Sequence, residues 1–160
     1  MSAASDAFEA LRDRGWTLGI AESLTGGGVT AEFVSVPGAS AVLHGGVVAY
    51  ATPVKHTLLG VDAALLAEYG PVHPQVALQM ADGVRRAVAV DGREADAGIS
   101  TTGIAGPDSP DGQPVGTVHI GVVTPAGART ASFVFDGDRA RIRQQTVDAV
   151  FAELLDVLGE

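Results

Sequence analysis

Ser23 lies in Ala21-Glu22-Ser23-Leu24-Thr25-Gly26-Gly27-Gly28, a hydroxyl- and glycine-rich turn after the apolar run Thr17-Leu18-Gly19-Ile20. A strand that runs into such a turn at a helix start gathers unpaired backbone N–H groups and the positive end of the helix dipole. Serine in that place is either a helix N-cap or a nucleophile. Three consecutive glycines make a poor helix start and imply the close approach of a ligand or another backbone. A nucleophilic serine needs a base. Nine of the ten basic residues are arginine, and Lys55 is the one lysine. Lysine can be desolvated into a neutral base, whereas arginine stays charged. Lys55 falls in the first turn of a short helix entered at Pro53, five residues after Tyr50. A cation there opposes the helix dipole, which lowers its pKa. A Ser23/Lys55 pair, with Tyr50 as proton relay or orienting group, is therefore the most economical arrangement. Backbone N–H groups of the glycine turns would supply an oxyanion hole.

Other chemistries are thinned out by composition. The absence of cysteine removes thiol catalysis, disulfides, iron–sulfur clusters and thiolate zinc sites. His44, His56, His73 and His119 show no metal-ligand spacing, so no metal and no organic cofactor is expected. The net charge of -9 argues against a generic nucleic-acid surface, yet it leaves room for an anionic small molecule bound by local cations. Arg139, Arg141 and Arg143 supply such a cluster, and Arg139 and Arg143 share a helix face as a fork suited to phosphate. Gly26-Gly27-Gly28-Val29-Thr30-Ala31 formally fits a dinucleotide fingerprint, but the following strand ends in Tyr50 rather than an acidic residue. No phosphate-cradling Gly-x-x-x-x-Gly-Lys-Ser/Thr stretch exists. No apolar run approaches a membrane span and no signal-peptide layout is present, so the expected setting is cytoplasmic, without a membrane partner.

The elements that must position these residues follow from periodicity and punctuation. Ser5 to Arg14 reads as an amphipathic helix closed by Gly15, and the first strand and the Ser23 turn come next. A helix from Val29 stops near Pro37-Gly38, and Gly45 to Ala51 is a second buried strand. Helices are expected over Pro53 to Leu59, Asp62 to Tyr69 and Pro74 to Val90. Ala95 to Thr102 is a third strand running into Gly103, and Val115 to Thr124 with Arg129 to Phe135 forms a hairpin. Gly137-Asp138 opens a final helix to Leu158. With 46% hydrophobic and 18% charged residues, the chain is globular, and residues 1–160 read as one domain. The expected fold is a layered α/β/α sandwich with a mixed, mostly parallel sheet, ending in a β-hairpin and a helix. Ser23, Tyr50 with Lys55, and Thr101-Thr102 before Gly103 then meet in one crevice at the C-terminal strand ends.

Taken together, these motifs resemble a known family. Ala21-Glu22-Ser23-Leu24-Thr25-Gly26-Gly27 is similar to the Ala-Glu-Ser-x-Thr-Gly-Gly signature of the CinA C-terminal domain family. Gly46-Val47-Val48-Ala49-Tyr50 with Lys55, Thr102-Gly103-Ile104-Ala105-Gly106-Pro107, Pro114-Val115-Gly116-Thr117-Val118, and Gly137-Asp138-Arg139 with Arg143 complete the resemblance in the family's order. The family includes nicotinamide-nucleotide amidohydrolases, which convert nicotinamide mononucleotide to nicotinic acid mononucleotide and ammonia in pyridine-nucleotide recycling. The resemblance implies Ser23 as nucleophile, Lys55 as general base and Tyr50 as its partner. It adds Thr102 for orientation and Arg139 for phosphate binding. Thr25, Gly26, Gly27, Gly103 and Arg143 join these as expected substrate contacts. One departure stands out: the family commonly continues Gly-Pro-Asp-Gly-Gly, where this chain has Gly106-Pro107-Asp108-Ser109-Pro110. The expected partner is a small nucleotide substrate, and a homodimer suits a small domain with glycine-rich surfaces. The rival expectation is a non-catalytic nucleotide-binding or regulatory module with the same crevice.

Overall fold

A computed structural model describes residues 1–160. Its one sheet holds β1 (Leu18–Glu22), β2 (Leu43–Val48), β3 (Ala97–Gly103), β4 (Thr117–Thr124) and β5 (Gly127–Val134) in the order β2-β1-β3-β4-β5. β2 and β3 pair parallel with β1, β4 runs antiparallel to β3, and β5 antiparallel to β4. Four strands therefore point the same way and β4 alone runs against them, giving the mixed, mostly parallel sheet and terminal hairpin the periodicity implies.

Helices cover both faces, because the two faces carry different apolar sets. α1 (Ala3–Arg14), α2 (Gly28–Val34) and α6 (Arg139–Leu158) bury Phe8, Leu11, Phe33, Val150, Phe151 and Leu154 against Leu18, Ile20, Ile99 and Ile120. α3 (Thr52–Leu59), α4 (Ala63–Tyr69) and α5 (Pro74–Ala87) bury Leu59, Leu66, Val76, Met80 and Val84 against Ala21. α5 lies directly on the sheet backbone: a Cβ on Gly98 would stand 1.9 Å from the Ala81 carbonyl oxygen. None of the helices is long and apolar enough to cross a membrane.

Three of the boundaries that differ from the sequence expectation do so for a visible local reason. α1 starts before Ser5 because Ser2 caps it, and the Ser5 hydroxyl returns a contact to the Ser2 backbone in a capping box. α5 ends at Ala87 because Val90 turns to pair with Arg93. β2 spans Leu43–Val48 rather than Gly45 to Ala51, since its register is set by pairing with Leu18–Glu22. That shift leaves Tyr50 in the loop ahead of α3.

The chain winds about β1. From β1 it crosses by α2 on one face to β2, then returns by α3, α4 and α5 on the other face to β3, on the far side of β1. At such a reversal open α/β sheets bind ligands, outside the C-terminal ends of the strands. β5 points the same way as β1, so α6 also begins at that end of the sheet. The strand order thus brings the Ser23 turn, the loops after β2 and β3, and the first turns of α6 together.

Candidate active site

The Ser23 turn is held from beneath by a buried carboxylate. Glu22 ends β1 and is fully buried; its Oε1 accepts from the Val29 N–H at 2.8 Å, and its Oε2 from the Thr30 N–H at 3.0 Å and the Thr30 hydroxyl at 2.8 Å. Those donors lie in the first turn of α2, where N–H groups have no intrahelical partner. Sequence reasoning misses Glu22, although an acid closing an apolar strand before a helix start is a recognisable signal. Between the two anchors the chain must reverse sharply, and Gly26 (φ 60°) and Gly27 (φ 104°) take the left-handed backbone that a Cβ disfavours. Ser23 donates its N–H to the Thr101 carbonyl at 3.1 Å, and the Thr25 and Thr101 hydroxyls share a hydrogen bond at 2.8 Å.

Successive β1 residues face opposite sides of the sheet, so Glu22 meets α2 while Ser23 turns toward α3. There Lys55, with no exposed surface, places Nζ 2.8 Å from the Ser23 hydroxyl oxygen. Its Nζ also donates to the Ala49 carbonyl at 2.6 Å and the Tyr50 carbonyl at 3.1 Å. No acidic side chain pairs with it. Burial without a counter-charge disfavours the ammonium and pushes the Lys55 pKa down to about 8. A neutral amine has two N–H donors and one lone pair. With the donors on Ala49 and Tyr50, the lone pair remains for the serine proton. Ser23 itself is 8% exposed.

Tyr50 meets Lys55 through its backbone and Arg139 through its phenol. Its carbonyl holds Lys55, but its phenol makes no hydrogen bond to Ser23 or Lys55. The residue is 61% exposed and its hydroxyl accepts from Arg139 Nη2 at 3.3 Å. The same guanidinium donates through Nη1 to the Gly106 carbonyl at 2.6 Å. Arg139 therefore ties the loop after β2 to the loop after β3, across the end of β1 that carries Ser23. Arg143, one turn further along α6, does not join it in a free fork. Its Nε donates to the Leu24 carbonyl at 2.9 Å and its Nη2 to the Thr25 carbonyl at 3.1 Å.

Thr25, Thr102 and Gly103 are each packed against a neighbouring segment. Thr25 is buried against Thr101, and Thr102 is buried with its hydroxyl donating to the Pro71 carbonyl at 2.7 Å. A Cβ on Gly103 would stand 2.6 Å from the Thr117 carbonyl oxygen, so this glycine serves the contact with β4. His56, the nearest histidine in sequence to Lys55, pairs its Nδ1 with the Val61 carbonyl at 2.7 Å. In the altered loop, the Ser109 hydroxyl donates to the Gln113 carbonyl, closing a local turn where the family pattern has glycine. A cavity of about 320 Å³ lies at the opposite end of the sheet, lined in part by Thr17, His44 and Asp96, with the Thr17 hydroxyl and N–H both donating to Asp96.

Comparison with known proteins gives the family and the fold. The family model described as CinA C-terminal domain matches residues 1–158. The chain belongs to the CinA C-terminal domain family. It is 45% identical over 139 residues to a putative competence-damage inducible protein of Desulforamulus reducens, covering 87% of this chain and 33% of that protein. A CinA-like protein of Frankia casuarinae is 47% identical over 137 residues, with 86% and 30% covered. The chain thus spans about one third of the length of these curated relatives. Among solved structures, a CinA superfamily protein of Klebsiella pneumoniae superposes with a TM-score of 0.90 at 30% identity, covering 98% of this chain and 96% of that one. A competence/damage inducible protein of Agrobacterium tumefaciens gives 0.88 at 32% identity, with 99% and 94% covered. At such coverage the CinA fold is shared along the whole chain, including every element that borders Ser23.

Proposed function

We propose that the chain is a serine amidohydrolase acting on the carboxamide of nicotinamide mononucleotide. The observation that carries this reading is the 2.8 Å contact between a fully buried Lys55 amine and the Ser23 hydroxyl. A nucleophile and a base within hydrogen-bond reach, with the base oriented by third groups, is the signature of covalent acyl transfer. The Ala49 and Tyr50 carbonyls are those third groups here.

The chemistry balances with these residues and water. Ser23 Oγ forms a bond to the carboxamide carbon while its proton passes to Lys55 Nζ and the carbonyl electron pair moves onto oxygen. Collapse of the tetrahedral species breaks the C–N bond, and Lys55 returns the proton to the departing ammonia. Water then attacks the ester, losing a proton to Lys55, and Ser23 leaves as the hydroxyl once that proton is handed back. Nicotinic acid mononucleotide is released. Arg139 lies exposed at the same end of the sheet, and a substrate phosphate would draw its guanidinium from the Tyr50 hydroxyl into a charge-assisted pair.

The direct test is ammonia release from nicotinamide mononucleotide by the purified chain, with Ser23→Ala as control. Release by the parent and none by the variant is expected. A parent that binds the nucleotide without turnover would make the crevice a sensing module and overturn the proposal.

A further inference from the structure

Two backbone donors beside the nucleophile have no protein partner. The N–H groups of Leu24 and Thr25 make no hydrogen bond within the chain, although both residues are buried. Buried N–H groups left unpaired are rare, and at a site of chemistry they point to a group that the ligand brings. What aims the second of them is visible in Arg143. Its Nε and Nη2 draw the Leu24 and Thr25 carbonyls toward α6. In a planar trans peptide the carbonyl and the following N–H point in opposite directions. With the Leu24 carbonyl held by α6, the Thr25 N–H points away from α6, and Ser23 Oγ meets Lys55 on the opposite, α3 face of the sheet. The Gly26 N–H is engaged by the Ser23 carbonyl at 3.1 Å, so of the two peptides whose carbonyls Arg143 holds, Leu24–Thr25 is the one that leaves its N–H available.

We infer that Arg143 is a positioning residue rather than a phosphate ligand, and that it holds the turn so that the Thr25 N–H serves as an oxyanion-hole donor beside Ser23. This rests on the acyl-transfer reading of Ser23 and Lys55. The two α6 arginines then have different roles, Arg139 facing the substrate and Arg143 bracing the catalytic turn. Without Arg143 the Leu24 carbonyl loses its one hydrogen-bond donor within the chain, and the Thr25 N–H, which must be in place before the oxyanion forms, is no longer aimed. Such a loss appears in kcat and not in KM, because the neutral ground-state carbonyl draws little on that donor.

The experiment compares the parent with Arg143→Ala and Arg143→Lys, each checked by thermal denaturation. Two readouts are taken: steady-state hydrolysis of nicotinamide mononucleotide and the burst of p-nitrophenol from p-nitrophenyl acetate, which reports acylation of Ser23 by any ester. Removal of one oxyanion donor typically costs about 10²–10³ in rate, so Arg143→Ala should lower kcat by about 100-fold and slow the burst similarly, with KM within about threefold. Arg143→Lys, able to hold one carbonyl, should recover part of the loss, and added guanidinium ion should rescue Arg143→Ala. If Arg143→Ala does not fold, the loss and its kcat-only character are read from Arg143→Lys. A raised KM with unchanged kcat would make Arg143 a phosphate ligand and overturn the inference. So would an unchanged burst, or a parent acylated by neither compound. If the ester burst depends on Arg143 while the nucleotide is not hydrolysed, the substrate assignment fails and the positioning role stands.

Discussion

Lys55 Nζ lies 2.8 Å from Ser23 Oγ with the Ala49 and Tyr50 carbonyls as its other partners, so the base is oriented by backbone rather than by an acidic side chain. An aspartate in place of those carbonyls would stabilise the ammonium and raise the pKa. Neutral carbonyls orient the amine without a counter-charge, and burial alone then holds the lysine down to about 8.

The rate profile should report that value. kcat/KM is expected to rise with pH along a limb centred near 8, where Lys55 loses its proton in the free enzyme. Lys55→Arg keeps the charge but cannot deprotonate, so it should lack the limb and fall nearly as far as Ser23→Ala. An Arg variant that retains most of the parent's rate would reduce Lys55 to an electrostatic clamp.

Stability should carry the same signature. The folded-state pKa lies below the unfolded value, so between pH about 8 and about 10.4 the unfolded chain binds more protons and stability rises with pH. Below pH 8 the buried ammonium costs about 3 kcal/mol by this linkage, since a tenfold change in proton affinity is worth about 1.36 kcal/mol. Denaturant titrations from pH about 7 to about 10 on the parent and on Lys55→Met should show the gain in the parent and its absence in the variant. Parallel curves would refute the depressed lysine.

Glu22 anchors α2 through three donors, two of them backbone N–H groups. Hydrogen bonds to a charged group contribute about 1.5–3 kcal/mol each, and Glu22→Gln keeps only part of that set. A loss of about 2 kcal/mol, or about 4–8 °C in Tm for a domain of this size, is expected in a calorimetric scan. An unchanged Tm would show that the carboxylate is dispensable to the turn.

Arg139 stands exposed between the Gly106 carbonyl and the Tyr50 hydroxyl. If it receives the 5′-phosphate, Arg139→Ala should raise KM by about 10- to 150-fold, a charged hydrogen bond's worth, with kcat much less affected. The riboside lacking the phosphate should be correspondingly poor for the parent and indifferent to the substitution. Equal losses on both compounds would remove the phosphate from this arginine.

The amino-acid sequence alone carried the local part: where strands and helices run, and that one serine and one lysine close two successive strand-to-helix connections. Periodicity, caps and glycine placement act over a few residues, so α3, α4 and α6 and the terminal hairpin were legible, as was the Ser23/Lys55 pair. Contacts between loops far apart in the chain depend on strand order and register, which short-range patterns do not encode. Pairing of β2 with Leu18–Glu22 moved Tyr50 off the strand and turned its carbonyl, rather than its phenol, to Lys55. The i,i+4 spacing put Arg139 and Arg143 on one face, but only the fold shows that they reach different loops. Glu22 was open to the eye as an acid before a helix start, yet its three donors exist only once α2 folds back over β1. Lys55 shows the division most plainly: its singularity was in the sequence, and its desolvation came from the packing of α3 against the end of β1.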